Sequence, residues 1–180
     1  MSITTRQGDQ GQTRLHDGQR VSKDHPRLDA LGDLDELISA LGVARARAPE
    51  GELRDGLLDL QRELFVAGSE AAVSPERAAA LPARIGAGHC ARMDALCAKL
   101  ESRAGAPRDF IVPGENETGA YLDFARSVAR RCERRFVALS DAGAIRNPSL
   151  LQWMNRLSDA LWLMARIAEG RSRALRASRA

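Results

Sequence analysis

An amphipathic repeat across residues 121–136 limits most strongly how this chain can fold. The stretch reads YLDFARSVARRCERRF. Its apolar side chains recur at alternating steps of three and four residues, which is the spacing of a helix that packs in a bundle. The residues on this predicted apolar face are Leu122, Ala125, Ala129, Cys132 and Phe136. The stretch therefore predicts a bundle helix with one buried face.

A row of arginines borders that apolar face. Arg126, Arg130 and Arg134 follow one another at steps of four residues, with acidic residues among them. Because guanidinium groups at the edge of a core are partly desolvated, we expect these arginines to need anionic partners. The carboxylates of a neighbouring helix or the phosphates of a ligand would both serve, and this helix alone favours neither.

Length and composition suit a single all-α domain over residues 1–180. Of the residues, 44% are hydrophobic and only 4% are aromatic, and long runs of Ala, Leu, Arg and Glu favour helix over strand. No apolar run approaches the roughly 18 residues of a membrane span, and the start of the chain has no hydrophobic signal-peptide core. We therefore expect a cytoplasmic protein. The net charge of +3 is too small to indicate a partner.

Apolar periodicity and helix-start signals predict five helices. The first covers about residues 26–48, the second 52–72 and the third 89–103. The fourth contains residues 121–136, and the fifth begins at Pro148 after the capping residue Asn147. Residues 73–88 predict a long connection or a loose helix start, and residues 171–180 a flexible basic tail. Short connections between such helices make an antiparallel five-helix bundle the expected architecture.

An acidic cluster in the first predicted helix is a candidate partner for the arginine row. Asp33, Asp35 and Glu36 lie close together in the sequence. Such a cluster is ordinarily a solvated face. It is also the most obvious source of carboxylates for arginines on a neighbouring helix.

The segment before the first helix is rich in turn residues. Its glycines predict a loop or short hairpin over residues 1–25. The centre of the segment, TRQGDQGQTR from Thr5 to Arg14, has two glycines spaced by three between Thr and Arg side chains. Backbone N–H groups in such a loop could wrap a phosphate, although an ordinary turn is the commoner meaning of the pattern. It is not a Walker A loop, since no Gly-Lys-Ser/Thr follows.

A second irregular segment, DFIVPGEN over residues 109–116, precedes the fourth helix. Phe110, Ile111 and Val112 are apolar, and Pro113-Gly114 ends the run. The segment is either a short buried connector that fixes the start of the helix or an apolar wall beside the arginine row.

Three segments, taken together and in order, resemble one family. The first is TRQGDQGQTRL with GQRVSKDHPR and GDLDEL, the second is FIVPG with ARSVARRCERR, and the third is NPSLLQWMNRLSDALW. They span about residues 4–166. In this combination they are similar to the PduO-type ATP:cob(I)alamin adenosyltransferases.

The resemblance implies a five-helix bundle that assembles as a homotrimer with active sites between subunits. It implies transfer of the adenosyl group of ATP to cob(I)alamin, with release of triphosphate. Cobalt(I) is then the nucleophile and attacks the ribose 5′-carbon, so no protein nucleophile is needed. ATP and cobalamin are the implied substrates and Mg²⁺ the implied cofactor. The implied partners are a flavin or flavoprotein reductase and an adenosylcobalamin-dependent mutase.

The resemblance also implies an ATP site. The residues that fall where the family's N-terminal loop holds the ATP phosphates are Thr5, Arg6, Gly8, Asp9, Gly11, Thr13 and Lys23. Arg134 and Asn155 fall at ATP-binding positions on the fourth and fifth helices. Glu133, beside Arg134, fits a Mg²⁺ or nucleotide role.

A catalytic group is implied by the same resemblance. Arg130 and Asp35 match a pair that bridges subunits in the family, and Arg134 acts with them. Phe110 falls where the family places an aromatic ring beneath the corrin. That ring excludes the lower axial ligand of cobalt and makes reduction to cobalt(I) easier.

Some positions depart from the family pattern and motivate alternatives. Glu115 stands where the family usually has glycine, Asp123 where it has histidine, and Trp153-Met154 where it has Tyr-Leu. An alternative is therefore a non-catalytic protein of the same fold that carries adenosylcobalamin or senses ATP. A nucleic-acid-binding bundle is a more distant alternative, because the arginines border an apolar seam and no nucleic-acid motif is present.

Overall fold

The computed structural model describes residues 4, 6, 8–105 and 110–170 and the backbone of residues 173–174. Within these ranges the long helices are α1 (Pro26–Arg47), α2 (Glu52–Ala71), α4 (Ala87–Ala104), α5 (Glu117–Asp141) and α6 (Pro148–Glu169), and α3 (Pro75–Ala79) is a short one. The strands are β1 (Gln12–Arg14), β2 (Arg20–Ser22), β3 (Ile111–Val112) and β4 (Arg173–Ala174). The predominantly helical class predicted from the sequence is confirmed.

The helix count differs from the expected five because of α3. This helix lies inside residues 73–88, for which the sequence predicts a connection or a loose helix start. Ser74 caps it by accepting a hydrogen bond from the backbone N–H of Arg77, and Pro75 occupies its first turn. Proline at the first helical position needs no N–H partner, so a single helical turn forms readily there. The described part of the chain thus has six helices.

Helix α5 lies at the centre of the bundle. It packs against α1 on one side and α6 on the other, while α4 packs on α6 and α2 on α1. All five residues of the predicted apolar face of α5 are fully buried. Trp153 of α6 and Phe136 of α5 are the largest fully buried side chains of the described core. The prediction that residues 121–136 form a bundle helix with one buried face is therefore confirmed.

The predicted N-terminal hairpin is also confirmed in the described residues. Strands β1 and β2 are antiparallel, with Thr13 opposite Val21. The hairpin is tied to the end of α2, because the backbone N–H of His16 donates to the carbonyl of Ala72 at 3.1 Å. The carboxylate of Asp17 accepts from the backbone N–H of Ser74 at 2.9 Å. The hairpin therefore has a fixed position relative to the bundle.

Arg27, at the start of α1, joins three elements from within the protein. Its side chain is buried and donates to the carbonyl oxygens of Ala71 and Val73 at 2.7 and 2.8 Å. A third hydrogen bond, of 2.8 Å, goes to the carbonyl of Ala144, after α5. Carbonyl groups at helix ends have no partner inside the helix, so a buried guanidinium can satisfy several of them at once. Burial lowers the pKa of the Arg27 guanidinium from its ordinary value.

Two residues of the predicted basic tail pair with the segment that precedes α5. Arg173 and Ala174 form β4, which pairs with β3 in an antiparallel register. A short strand such as β3 exposes unpaired N–H and C=O groups at its edge, and a second strand satisfies them. Residues 171–172 and 175–180, the remainder of the predicted tail, lie outside the described residues. No helix in the described ranges is long and apolar enough to cross a membrane.

Candidate active site

A glycine-rich turn precedes β1, and Lys23, which follows β2, lies against this turn. The backbone N–H of Lys23 donates to the carbonyl of Gly11 at 2.9 Å, and that of Gly11 donates to Gly8 at 3.1 Å. A Cβ atom at Gly8 would lie 2.9 Å from Nζ of Lys23. Gly11 has φ of +75°, a conformation that glycine adopts without strain. Folding therefore brings Gly8, Gly11 and Lys23 together, and Gly8 leaves room for the ammonium group.

The other predicted loop residues surround this turn. Arg6 is exposed and has φ of +58°, which is uncommon for a residue other than glycine. Its carbonyl accepts from the backbone N–H of Asp9, an exposed residue, at 3.4 Å. Thr13 is half-buried in β1. Thr5, also predicted to belong to this site, lies outside the described residues.

The arginine row of α5 is more exposed than the sequence predicts. Arg130 and Arg134 are both exposed, and Nη1 of Arg134 donates to the carbonyl of Arg130 at 3.0 Å. Only Arg126 is partly buried, with a 3.1 Å ion pair to Asp123. The expected partial desolvation is therefore wrong for Arg130 and Arg134 within a single chain. The helix is rotated so that their side chains point away from α1.

The acidic cluster of α1 pairs with different arginines from those predicted. Arg131 forms ion pairs with Asp33, at 3.2 Å, and with Glu36. Arg135 lies 3.6 Å from Asp29 and 3.7 Å from Asp33. Successive residues of a helix are about 100° apart, so positions 131 and 135 face α1 when positions 130 and 134 do not. Two of the three predicted carboxylates, Asp33 and Glu36, therefore form ion pairs with α5, but their partners are Arg131 and Arg135.

Asp35 points away from these ion pairs. It is exposed and lines a surface groove with His16 and Phe65. Among the ion pairs of the described side chains, none joins Asp35 to Arg130. The two residues implied to act as a pair are therefore separate within one chain, and both are accessible.

Glu133 and Asn155 lie on the adjacent helices α5 and α6. Glu133 is half-buried, and Asn155 is exposed. The carbonyl of Asn155 accepts from Oγ of Ser158 at 3.1 Å, which leaves its side-chain amide outside that bond. The described side chains contain no cluster of three or more His, Cys, Asp or Glu residues that could hold a metal ion.

Phe110 begins the segment that leads into α5, and 80% of its surface is exposed. Val112 is 40% exposed, and Ile111 is half-buried. Of the two interpretations offered by the sequence, the short buried connector is therefore wrong. The segment presents an apolar surface at the end of the bundle where α5 starts and α6 ends.

A buried ion-pair network behind this segment was not predicted. Arg166 of α6 forms ion pairs with Asp123 of α5 and, at 3.1 Å, with Glu169. The three side chains are only 5%, 6% and 0% exposed, respectively. The available signal was a charged residue inside an apolar face, since Asp123 follows Leu122 and Arg166 follows Ala165. Sequence spacing could not pair residues so far apart.

Fold and site together define an all-α bundle with a lysine-bearing glycine turn, exposed arginines and an apolar surface at one end. Comparison with known proteins identifies the family to which a chain of this class belongs. The cobalamin adenosyltransferase family model matches residues 3–168. The chain is 40% identical over 167 residues to a corrinoid adenosyltransferase of Citrobacter freundii, covering 93% of this chain and 94% of the relative. It is 39% identical over 166 residues to the corrinoid adenosyltransferase PduO of Salmonella typhimurium, covering 92% of this chain but only 49% of that protein.

Solved structures give the same answer. A variant PduO-type ATP:corrinoid adenosyltransferase from Lactobacillus reuteri, complexed with cobalamin and ATP, has a TM-score of 0.88 and 27% sequence identity, covering 98% of this chain and 100% of the other. Another variant from the same organism, complexed with ATP, has a TM-score of 0.86 and 28% identity, covering 97% and 100%. This chain belongs to the cobalamin adenosyltransferase family. The resemblance found in the sequence is confirmed.

Proposed function

We propose that this chain transfers the 5′-deoxyadenosyl group of ATP to cob(I)alamin and releases triphosphate. The observation that carries the proposal is the overlap of 98% of the chain with a family structure complexed with both cobalamin and ATP. In this reaction the cobalt(I) electron pair forms a bond to the 5′-carbon, the C5′–O bond breaks, and triphosphate leaves with the bonding electrons. The protein then has to align the two substrates and stabilise the charge of the leaving group.

The glycine turn is our proposed site for the ATP phosphates. Lys23 places its ammonium group over Gly8, and the absence of side chains at Gly8 and Gly11 lets an anion approach the backbone. Thr5, Arg6, Asp9 and Thr13 complete the proposed site by resemblance to the family.

Arg134, Glu133 and Asn155 form the helical side of the proposed nucleotide site. The exposed guanidinium of Arg134 is available to a phosphate, because its only described hydrogen bond goes to a backbone carbonyl. A guanidinium can bind phosphate oxygens through two parallel N–H groups. Glu133 would hold Mg²⁺ together with the phosphates. One carboxylate fits such an ion, since Mg²⁺ keeps several waters and takes its remaining oxygens from the substrate.

Assembly as a homotrimer is the proposal that best explains Asp35 and Arg130. Both are accessible and apart within one chain, and Asp35 shares its groove with Phe65, which is 64% exposed. Exposed aromatic surface next to a charge is typical of a subunit interface. Asp35 of one chain would then pair with Arg130 of the next.

Reversing this charge tests the assembly. Asp35→Arg is expected to lower the mass measured by light scattering below that of a trimer, because two like charges would face each other. The double variant Asp35→Arg with Arg130→Asp should restore it. A trimer that survives the single change, or a double variant that stays dissociated, would contradict the pairing.

An anaerobic absorbance assay tests the reaction itself. Chemically reduced cob(I)alamin and MgATP are mixed with the protein, and the spectrum is followed over time. Protein-dependent growth of a light-sensitive alkylcobalamin spectrum supports the proposal. A flat trace with measurable ATP binding would instead indicate a carrier or sensor.

Phe110 is proposed to exclude the lower axial ligand of cobalt. Phe110→Ala should keep its KM for ATP but lower turnover from cob(II)alamin by about tenfold or more, because an apolar ring no longer shields the metal. Supplying chemically reduced cob(I)alamin should restore most of the activity. Failure of that rescue would show that the ring has another role.

Cob(II)alamin needs one electron from outside this chain. We assign its supply to a flavin or flavoprotein reductase, and we assign consumption of the product to an adenosylcobalamin-dependent mutase. Replacing the chemical reductant of the assay by reduced flavin tests the first assignment, and a lack of product would reject it. Transfer of product to a purified mutase without release into solution tests the second.

A further inference from the structure

The end of α6 holds the segment that follows Phe110. Oε1 of Glu169 accepts hydrogen bonds from the backbone N–H groups of Gly114 and Glu115, at 3.2 and 3.3 Å. The side-chain amide of Asn116 donates to the carbonyl of Ala168 at 2.7 Å. Because two consecutive peptide groups are bound to one carboxylate oxygen, the backbone of this segment has little freedom to rotate.

Glu169 is itself fixed from behind. Its second carboxylate oxygen lies 3.1 Å from Nη2 of Arg166, which also pairs with Asp123, and Asp123 pairs with Arg126. The Glu169 side chain is completely buried. Two carboxylates and two guanidinium groups therefore balance in charge at the base of the segment. The charges of the network are matched, although the buried Nε of Arg166 makes no hydrogen bond among the described residues.

The packing of Glu169 depends on a glycine of α5. A Cβ atom at Gly119 would lie 2.5 Å from Cγ and 3.0 Å from Oε1 of Glu169. Since Gly119 is within a helix, alanine there would favour the helix by propensity alone. Glycine at this position thus has a steric purpose: it lets the Glu169 side chain pass over α5 to reach the segment.

We propose that Glu169, supported by Arg166 and Asp123, is a positioning residue for the cobalamin side of the site. It fixes the backbone of Gly114 and Glu115 and thereby the placement of Phe110, on the other side of β3. The inference rests on the proposed role of Phe110. It also gives Asp123, where the chain departs from the family pattern, a part in building the site.

Substitutions at position 169 separate two contacts of Glu169: its hydrogen bonds to the backbone of residues 114 and 115, and its ion pair with Arg166. Glu169→Gln keeps a side-chain oxygen for the two N–H groups but loses the ionic contact with Arg166. Glu169→Ala loses both. Glu117→Ala is a matched control, because it removes a carboxylate from the first turn of α5 whose ion pair with Arg47 is solvent-exposed.

Each variant is assayed for KM and kcat with MgATP and either chemically reduced cob(I)alamin or cob(II)alamin plus reductant. For Glu169→Ala we expect turnover from cob(II)alamin to fall about tenfold, with KM for ATP within about twofold of wild type. Glu169→Gln should lie between, and Glu117→Ala should match wild type. Electron paramagnetic resonance of cob(II)alamin bound with MgATP should show that Glu169→Ala, like Phe110→Ala, lets cobalt gain an axial ligand.

The outcomes separate this inference from the proposed function. A wild-type protein that forms no adenosylcobalamin overturns both. If Phe110→Ala has low turnover from cob(II)alamin and Glu169→Ala has normal turnover, the positioning role alone is overturned. Equal rises of KM for ATP and for cobalamin in Glu169→Ala would overturn it as well. Should Glu169→Ala not fold, we expect Gly119→Ala to show the same fall in turnover and Glu169→Gln a smaller one. Normal turnover of both variants would contradict the positioning role.

Discussion

Arg134→Ala is expected to lose about 10- to 150-fold in kcat/KM and to keep its fold. Loss of a charge-assisted hydrogen bond to the triphosphate raises the barrier by about 1.5–3 kcal/mol. The side chain is exposed, and its hydrogen bond goes to the carbonyl of Arg130 in the same helix. Stability should therefore change by less than about 0.5 kcal/mol.

The neighbouring arginine provides the control. Arg135 has the same chemistry but faces α1, where it lies near Asp29 and Asp33. Arg135→Ala should keep most of the activity and lose a little stability. Steady-state assays with MgATP and cob(I)alamin, together with urea denaturation, measure both quantities. Near-normal turnover of Arg134→Ala, or equal losses in the two variants, would reject the phosphate role of Arg134.

Arg166→Met is expected to lower the free energy of unfolding by about 3–5 kcal/mol. Methionine fills much of the arginine volume but leaves Asp123 and Glu169 as buried carboxylates without their shared counter-charge. Arg126 offsets only part of this loss of counter-charge, because it forms an ion pair with Asp123 and not with Glu169. The loss includes the packing of the guanidinium over Trp162, whose ring centroid is 5.4 Å away.

Urea denaturation followed by circular dichroism measures this effect. Asp94→Ala breaks the half-exposed pair with Arg156 and should cost less than about 1 kcal/mol. Combining Asp123→Asn with Arg166→Met should cost less than the sum of the single changes, because the two residues interact directly. A loss for Arg166→Met no larger than that for Asp94→Ala would show that the network is not a stabilising element.

The sequence predicted the helices well because their signals are local. The apolar face of residues 121–136 required only a period of three to four residues, and every residue assigned to it is buried. The start of α6 was marked by Asn147 and Pro148, and both occupy those positions in the structure. The short helix α3 was missed as a separate element, since a single turn carries almost no periodic signal.

The candidate site was predicted as a set of residues rather than as a geometry. The glycine turn could be located because its residues are close in sequence. The acidic cluster of α1 was also correctly identified as a source of ion pairs. However, its partners are Arg131 and Arg135 instead of Arg130 and Arg134, because a shift of one residue turns a side chain by about 100° around the helix.

The sequence by itself determined the family, the helical class and the face of α5 that is buried. Only the tertiary structure decided which charges meet. Asp123, Arg166 and Glu169 come together because α5 and α6 pack at one particular rotation and height, which no local pattern encodes. Burial then stabilises only this pairing, since a charge removed from water needs a counter-charge within a few ångströms.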